Sequence, residues 1–241
     1  TQDLNSMLDR TEKLVQSSRT IGDSIAHDLR SPLTRLRSNL ENASLHAKTE
    51  EDLQLSIENA IAELDAIVVT FNAVLRLARL EAGEGGNFKI FDLSETLLEL
   101  AELYEPSVTE KGLEFASNIA PNLMMKADKS LLFQAIANIM DNAIKYTPTG
   151  KIEVSAKLAA ANKIEISVQD SGPGIAAAER DNAKKRFVRL DGARSTPGNG
   201  IGLSLAQAIA EAHSGKLELG DGLADNGGVG LKVTLVLNSG L

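Results

Sequence analysis

Apolar residues recur with a helical period through the first third of the chain. Met7, Leu14 and Ile21 stand seven residues apart, with Leu4, Leu8 and Val15 beside them. That is the seam of a coiled coil. The stripe runs on through Ile25, Leu29, Leu33, Leu36 and Leu40, then blurs over Asn42, Ser44, His46 and Lys48. Thr49-Glu50-Glu51 reads as a helix restart with acidic residues in its first turn. A second stripe follows: Leu53, Ile57, Ile61, Leu64, Ile67, Val68, Phe71, Leu75 and Ala78. It stops at Gly83, with Gly85-Gly86 just beyond. Two long amphipathic helices joined by a short turn make an antiparallel hairpin, which covers only one face of each helix. Pairing two hairpins closes a four-helix bundle, so the pattern predicts a homodimer. Pro32 interrupts the first stripe. Its missing N–H and its ring clash predict a bend near His27.

From about Phe88 the pattern changes. Phe88 to Phe91 suggests a short strand, and Asp92-Leu93-Ser94 leads into a helix through Lys111, ended by Gly112. Leu113 to Ile119 and Leu123 to Ala127 suggest strands, and Ser130 to Lys145 a helix. Lys151 to Leu158 and Lys163 to Gln169 alternate apolar and polar residues, as a hairpin does. Gly200 to His213 reads as a helix, followed by strands at Lys216 to Leu219 and Leu231 to Leu237. The Gly227-Gly228-Val229-Gly230 cluster between those strands reads as a hairpin loop. The fold class expected is α plus α+β: a helical hairpin followed by a sandwich of sheet against helices.

Composition narrows this picture modestly. The 241 residues carry a net charge of -8, which disfavours nucleic acid and anionic membranes as partners. There is no cysteine, hence no disulfide framework and no thiolate metal site. No stretch approaches the roughly 18 apolar residues of a membrane span. Helical periodicity is already running at Thr1-Gln2-Asp3-Leu4, as expected of a piece of a longer protein.

Chemistry concentrates in a few places. His27 is followed directly by Asp28, and adjacent helical residues point about 100° apart, so ring and carboxylate can both reach solvent. The carboxylate can take a proton from one ring nitrogen and leave the other nucleophilic. His46 reads as a solvated residue near the turn, and His213 as a helix-end residue before Gly215. Asn138 and Asn142 share a helix face, and an amide oxygen suits Mg²⁺. Lys145 can reach a phosphate as a point charge, and Tyr146 offers a ring for a base to lie on. Asp170-Ser171-Gly172-Pro173-Gly174 ends a strand. Gly172 and Gly174 let backbone approach a ligand, and Asp170 can accept from the exocyclic amine of adenine. Gly198, Gly200 and Gly202 open a helix whose N–H groups favour a triphosphate. Lys184 to Arg189 is basic, and the stretch to Pro197 reads as a lid, with Arg186 or Arg189 meeting phosphates.

In this order, those boxes resemble the cytoplasmic part of bacterial sensor histidine kinases. His27 to Leu33 is similar to the family's phosphoacceptor box, Asn138 to Thr147 to its asparagine box and Asp170 to Gly174 to its first glycine box. Phe187 is similar to its phenylalanine box, and Gly198 to Gly202, with Leu203, to its second glycine box. Residues 1–16 resemble the end of a HAMP-type signalling relay. The resemblance implies a dimerisation and phosphotransfer domain over 17–84 and a Bergerat-type ATP-binding domain over 85–241. It implies that His27 takes the γ-phosphoryl of ATP with Asp28 as base, and that a response-regulator receiver aspartate takes it next. Asn142 would hold Mg²⁺ with Asn138 nearby, Lys145 would touch phosphates, Tyr146 would flank the base and Asp170 would bind adenine. Related ATPases carry a glutamate at the place of Asn138 to activate water; its absence suits transfer to histidine. Ser31 stands where the family's regulator-phosphatase activity uses threonine or asparagine. A membrane-anchored parent is implied, with this cytoplasmic part attached through amino-terminal segments. Two other readings stay open: an ATP-driven clamp of the related ATPase class, and a dimeric scaffold that nucleotide merely stabilises.

Overall fold

The computed structural model describes residues 34, 36–38, 40–45, 49–81, 87–159, 162–185, 188–190, 200–225 and 228–241. His27, Asp28, Ser31, Pro32, Arg186, Phe187 and Gly198 lie outside them. The chain divides into two units, Thr1–Ala82 and Gly83–Leu241.

In the first unit residues 40–45 are helical, and a second helix, α1, runs Glu50–Glu81. Its 32 residues span about 48 Å. The restart at Thr49 is a reciprocal cap. Asp52 N–H donates to Thr49 Oγ1 at 3.0 Å, and Thr49 N–H donates to Asp52 Oδ2 at 3.2 Å. Along α1, Ile57, Ile61, Leu64, Val68 and Phe71 are all exposed, between 37 and 54%. Their spacing alternates four and three, a coiled-coil seam laid bare in the single chain.

The second unit is a sandwich. Its elements are β1 (Lys89–Asp92), α2 (Leu93–Glu110), β2 (Glu114–Ile119), β3 (Met124–Ala127), α3 (Lys129–Tyr146), β4 (Lys151–Ala159) and β5 (Lys163–Asp170). A 3-10 turn (Ala177–Glu179), a short α4 (Arg180–Ala183), α5 (Gly202–Ala212), β6 (Lys216–Asp225) and β7 (Gly228–Asn238) follow. Five strands form one sheet in the order β2-β4-β5-β7-β6, and β1 pairs with β3 in a small antiparallel sheet. Within the large sheet β2 and β4 are parallel and the other pairings antiparallel.

Alternation in the strands places every second residue on one face. In register, Val154 lies beside Val168 and Val168 beside Val233; Ala156, Ile166 and Leu235 form the next row. These six are buried, and the helices pack over this face with Leu97 and Leu100 of α2, Ile136 and Met140 of α3 and Leu205 and Ile209 of α5. The carboxylates Asp92 and Asp128 start two of those helices. Asp92 accepts from Ser94 N–H at 2.8 Å, and Asp128 from Ser130 N–H at 2.9 Å and Leu131 N–H at 3.1 Å. Burial raises the cost of the Asp128 charge, but bonds from the Ser130 hydroxyl and the Leu131, Asn87 and Ser130 amides outweigh it. They hold the carboxyl below its usual value.

Two expectations need correction. The last strands are longer than the alternation indicated, and Gly228, Val229 and Gly230 belong to β7 rather than to a loop. A glycine run weakens the strand signal, whereas at Gly230 close approach to the backbone of Asp170 requires glycine. The helix expected from Gly200 begins at Gly202.

His213 does more than end α5. It is buried, its Nδ1–H donates to Ile209 O at 2.7 Å, and its Nε2 accepts from Asp128 N–H at 3.1 Å. The ring also lies 4.9 Å from that of Phe88. It therefore ties the end of α5 to the start of α3 as a neutral imidazole. Burial pushes its pKa below the ordinary 6.5. Between the folded-state value and 6.5 the unfolded chain binds more protons, so this contribution is whole above 6.5 and lost as pH falls below it. Chemical denaturation across pH 5 to 8 (the range in which histidine titrates) is expected to show that decline. His213→Phe should lower stability by about 2 kcal/mol, through the unpaired Asp128 N–H, and remove that part of the pH dependence.

Candidate functional site

Helix α3 carries the site on the side away from its apolar stripe. Near its middle, the amides of Asn138 and Asn142 meet the first residue of α5. A Cβ on Gly202 would stand 3.1 Å from Asn142 Nδ2 and 3.8 Å from Asn138 Cβ. Glycine at that point lets α5 begin directly against the amide pair. Among the described residues Asn138 Nδ2 is buried with no hydrogen-bond partner, as is Oε1 of Gln134 one helical turn earlier. Near the end of α3, Lys145 Nζ donates to Tyr146 Oη at 3.0 Å and lies 4.6 Å from the ring centroid. The cation thus stands over the ring expected to flank a base. Lys111, following α2, donates to the carbonyl oxygens of Ile144 and Lys145 and so satisfies the end of the helix.

The Asp170 turn packs against that same end. A Cβ on Gly172 would lie 2.8 Å from Tyr146 O and 3.3 Å from Thr147 Oγ1. Asp170 is 6% exposed. Its Oδ1 accepts from Gly172 N–H at 2.8 Å and from Leu231 N–H at 3.2 Å. Burial raises its pKa, and those two bonds work against the rise. Among the described residues both bonds fall on Oδ1, which leaves Oδ2 as the oxygen for a ligand. Gly174 has φ 65°, and a Cβ there would fall 2.3 Å from Val229 O, so only glycine completes the turn.

The structure thus brings Asn138, Asn142, Gly202, Lys145, Tyr146, Asp170, Gly172 and Gly174 together around α3. Gly200, with φ 66°, stands two residues before Gly202 in the chain. Leu203 and Arg189 are half-buried. The sequence reading gave three further contributors no role in the site. Thr147 is fully buried with an unpartnered hydroxyl beside Gly172. Gln134 extends the Asn138–Asn142 ladder by one turn, a four-residue spacing visible in the sequence. Gly230, read as loop, would put a Cβ 1.8 Å from Asp170 O.

Comparison with known proteins identifies two domain families along the chain. Residues 127–240 match the family described as "Histidine kinase-, DNA gyrase B-, and HSP90-like ATPase", and residues 17–83 match the "His Kinase A (phospho-acceptor) domain". The chain belongs to the sensor histidine kinases. It is a phosphoacceptor-type helical domain followed by that family's ATP-binding α/β sandwich. The adaptive-response sensory kinase SasA of Synechocystis is 33% identical over 205 residues, 80% of this chain and 53% of the relative. The chain spans about half the length of the curated relatives it matches. Full-length ShkA, solved in complex with AMPPNP, superposes with a TM-score of 0.65 at 26% identity, over 89% of this chain and 45% of that one. ThkA, solved in complex with the response regulator protein TrrA, has a TM-score of 0.71 at 21% identity, over 98% of this chain and 66% of that one, a likeness of fold.

Two substitutions test the site. Asp170→Asn is expected to weaken binding of a fluorescent adenine nucleotide by about tenfold or more, as for a bond to a charged group. Its melting temperature should stay close to that of the parent. Gly230→Ala should cost more than about 2 kcal/mol in denaturant unfolding, because the new methyl meets backbone that cannot yield.

Proposed function

We propose that this chain transfers the γ-phosphoryl group of ATP to its own His27 and then to an aspartate on a response-regulator receiver domain. The carrying observation is the meeting of the Asn138–Asn142 amide face with Gly202 at the start of α5, with the turn of the buried Asp170 carboxylate packed against the end of the same helix α3. An acceptor for adenine and N–H groups for phosphates then stand at opposite ends of one site. Phosphoryl transfer asks for positioning and charge neutralisation rather than covalent help. Lys145, Arg186 and Arg189 would supply cations, with Phe187 in the same segment and the backbone of Gly198, Gly200, Gly202 and Leu203 against the phosphates. Tyr146 would flank the base, and Gly172 and Gly174 would hold the turn that presents Asp170. Asp28 would take the proton from His27, and Ser31 would orient water if the chain also dephosphorylates its regulator.

Mg²⁺ fits the residues present. Among the described residues no group of three or more His, Cys, Asp or Glu could hold a metal. Mg²⁺ in nucleotide sites needs only one or two protein oxygens beside phosphates and water. The amide oxygens of Asn142 and Asn138 would serve. When bound, the ion neutralises phosphate charge.

The exposed seam on α1 supports a homodimer, in which a second copy covers Ile57, Ile61, Leu64, Val68 and Phe71. Among the described residues no helix is long and apolar enough to cross a membrane. The reading attaches this part to the cytoplasmic side of a membrane-anchored parent. The proposed domain limits are 1–16 for the relay end, 17–84 for dimerisation and phosphotransfer and 85–241 for ATP binding.

Incubation with γ-labelled ATP and Mg²⁺ tests the proposal. The expected product is acid-labile, base-stable label on the protein, lost in His27→Gln and in Asn142→Ala without loss of folding. Released phosphate without label would indicate a clamp-type ATPase, and neither product a scaffold; both outcomes reject the kinase.

A further inference from the structure

Asp170 can meet an adenine amine only if the turn after it is fixed, because Oδ1 is already committed to Gly172 and Leu231. A second set of contacts outside the recognised boxes closes on that turn. Arg180, the first residue of α4, donates from Nε to Ile175 O at 3.1 Å. Its other guanidinium arm forms an ion pair with Asp221 of β6. The Arg180 side chain is 20% exposed, so the pair is partly sheltered from solvent on that side.

Asp221 is not an arbitrary surface partner. It sits where the β6–β7 register shifts, between Asp221 and Ala224. Gly222, within that irregularity, passes over the site: a Cβ there would fall 2.7 Å from Asp170 O and 2.6 Å from Leu231 O. Gly230 presses on Asp170 O from β7, and Gly174 on Val229 O. The contacts form a closed ring: Asp170 to Gly222, its neighbour Asp221 to Arg180, Arg180 to Ile175, and back along the turn to Asp170. The irregularity in β6 thus fixes where the Arg180 fork is held, and the fork fixes the turn.

We propose that Arg180, with Asp221, is a positioning residue that sets the nucleobase selectivity of Asp170. It acts through the carbonyl of Ile175 and does not touch the nucleotide. The inference rests on the reading of Asp170 as the adenine acceptor.

Titration calorimetry of the 241-residue chain with ATP and with inosine triphosphate separates the possibilities. The inosine base carries an oxygen in place of the amine. The parent chain should prefer ATP by about tenfold. In Arg180→Met the affinity for ATP should fall by about fivefold while that for inosine triphosphate stays within about twofold, so the preference collapses. Arg180→Lys should recover part of it. Asp221→Asn, at an exposed carboxylate, should move the ratio in the same direction without threatening the fold. A parent preference that survives in both Arg180→Met and Asp221→Asn overturns the positioning role and leaves Asp170 in place. A parent chain that binds both nucleotides equally, or neither, overturns the acceptor reading and the inference together. Lower melting temperature with an unchanged ratio marks an ordinary structural ion pair and counts against the proposal.

Discussion

Removing a carboxylate from water is costly unless its oxygens are bonded. Asp170 meets that cost with backbone amides from two places, the turn after β5 and the start of the β7 pairing. Neither amide could approach if side chains intervened. The glycines at 172, 222 and 230 are therefore part of one requirement, close passage of three backbone segments around a buried acid. The remaining oxygen gains in selectivity from the same burial, since a weak donor competes poorly with water but well in a dry site.

Helix α3 links this acid to the rest of the site. One face of the helix is apolar and closes the core through Ile136, Ile139 and Met140. The other carries Asn138, Asn142 and, at its end, Tyr146. Its start is fixed by Asp128, which is in turn joined to the end of α5 by His213. The amide face and the first turn of α5 are thus held by contacts at the opposite ends of both helices.

Much of this was readable from residue order. The four-residue spacing of Asn138 and Asn142, the carboxylate caps and the strand alternation each follow from local geometry, and the structure keeps them. Gly230 was misread because a glycine run carries no signal of what lies opposite; the neighbour is Asp170, sixty residues away in the chain. Thr147 was passed over because it ends a helix, where threonine needs no further explanation. His213 read only as a helix-end residue because its partner, the Asp128 N–H, is backbone and invisible to side-chain patterns. Gly230 and His213 escaped because what they meet is backbone from distant parts of the chain, whereas the spacing of Gln134 was local and legible.

The pairing of β2 with β4 carries a last consequence. They are parallel neighbours, and parallel neighbours cannot be joined by a tight turn; the chain must leave the sheet and come back. Here it returns through β3 and α3. The link between these two neighbouring strands is therefore the very segment that bears the amides. The amide-bearing helix thus comes with the connectivity of the sheet itself, whatever side chains it carries.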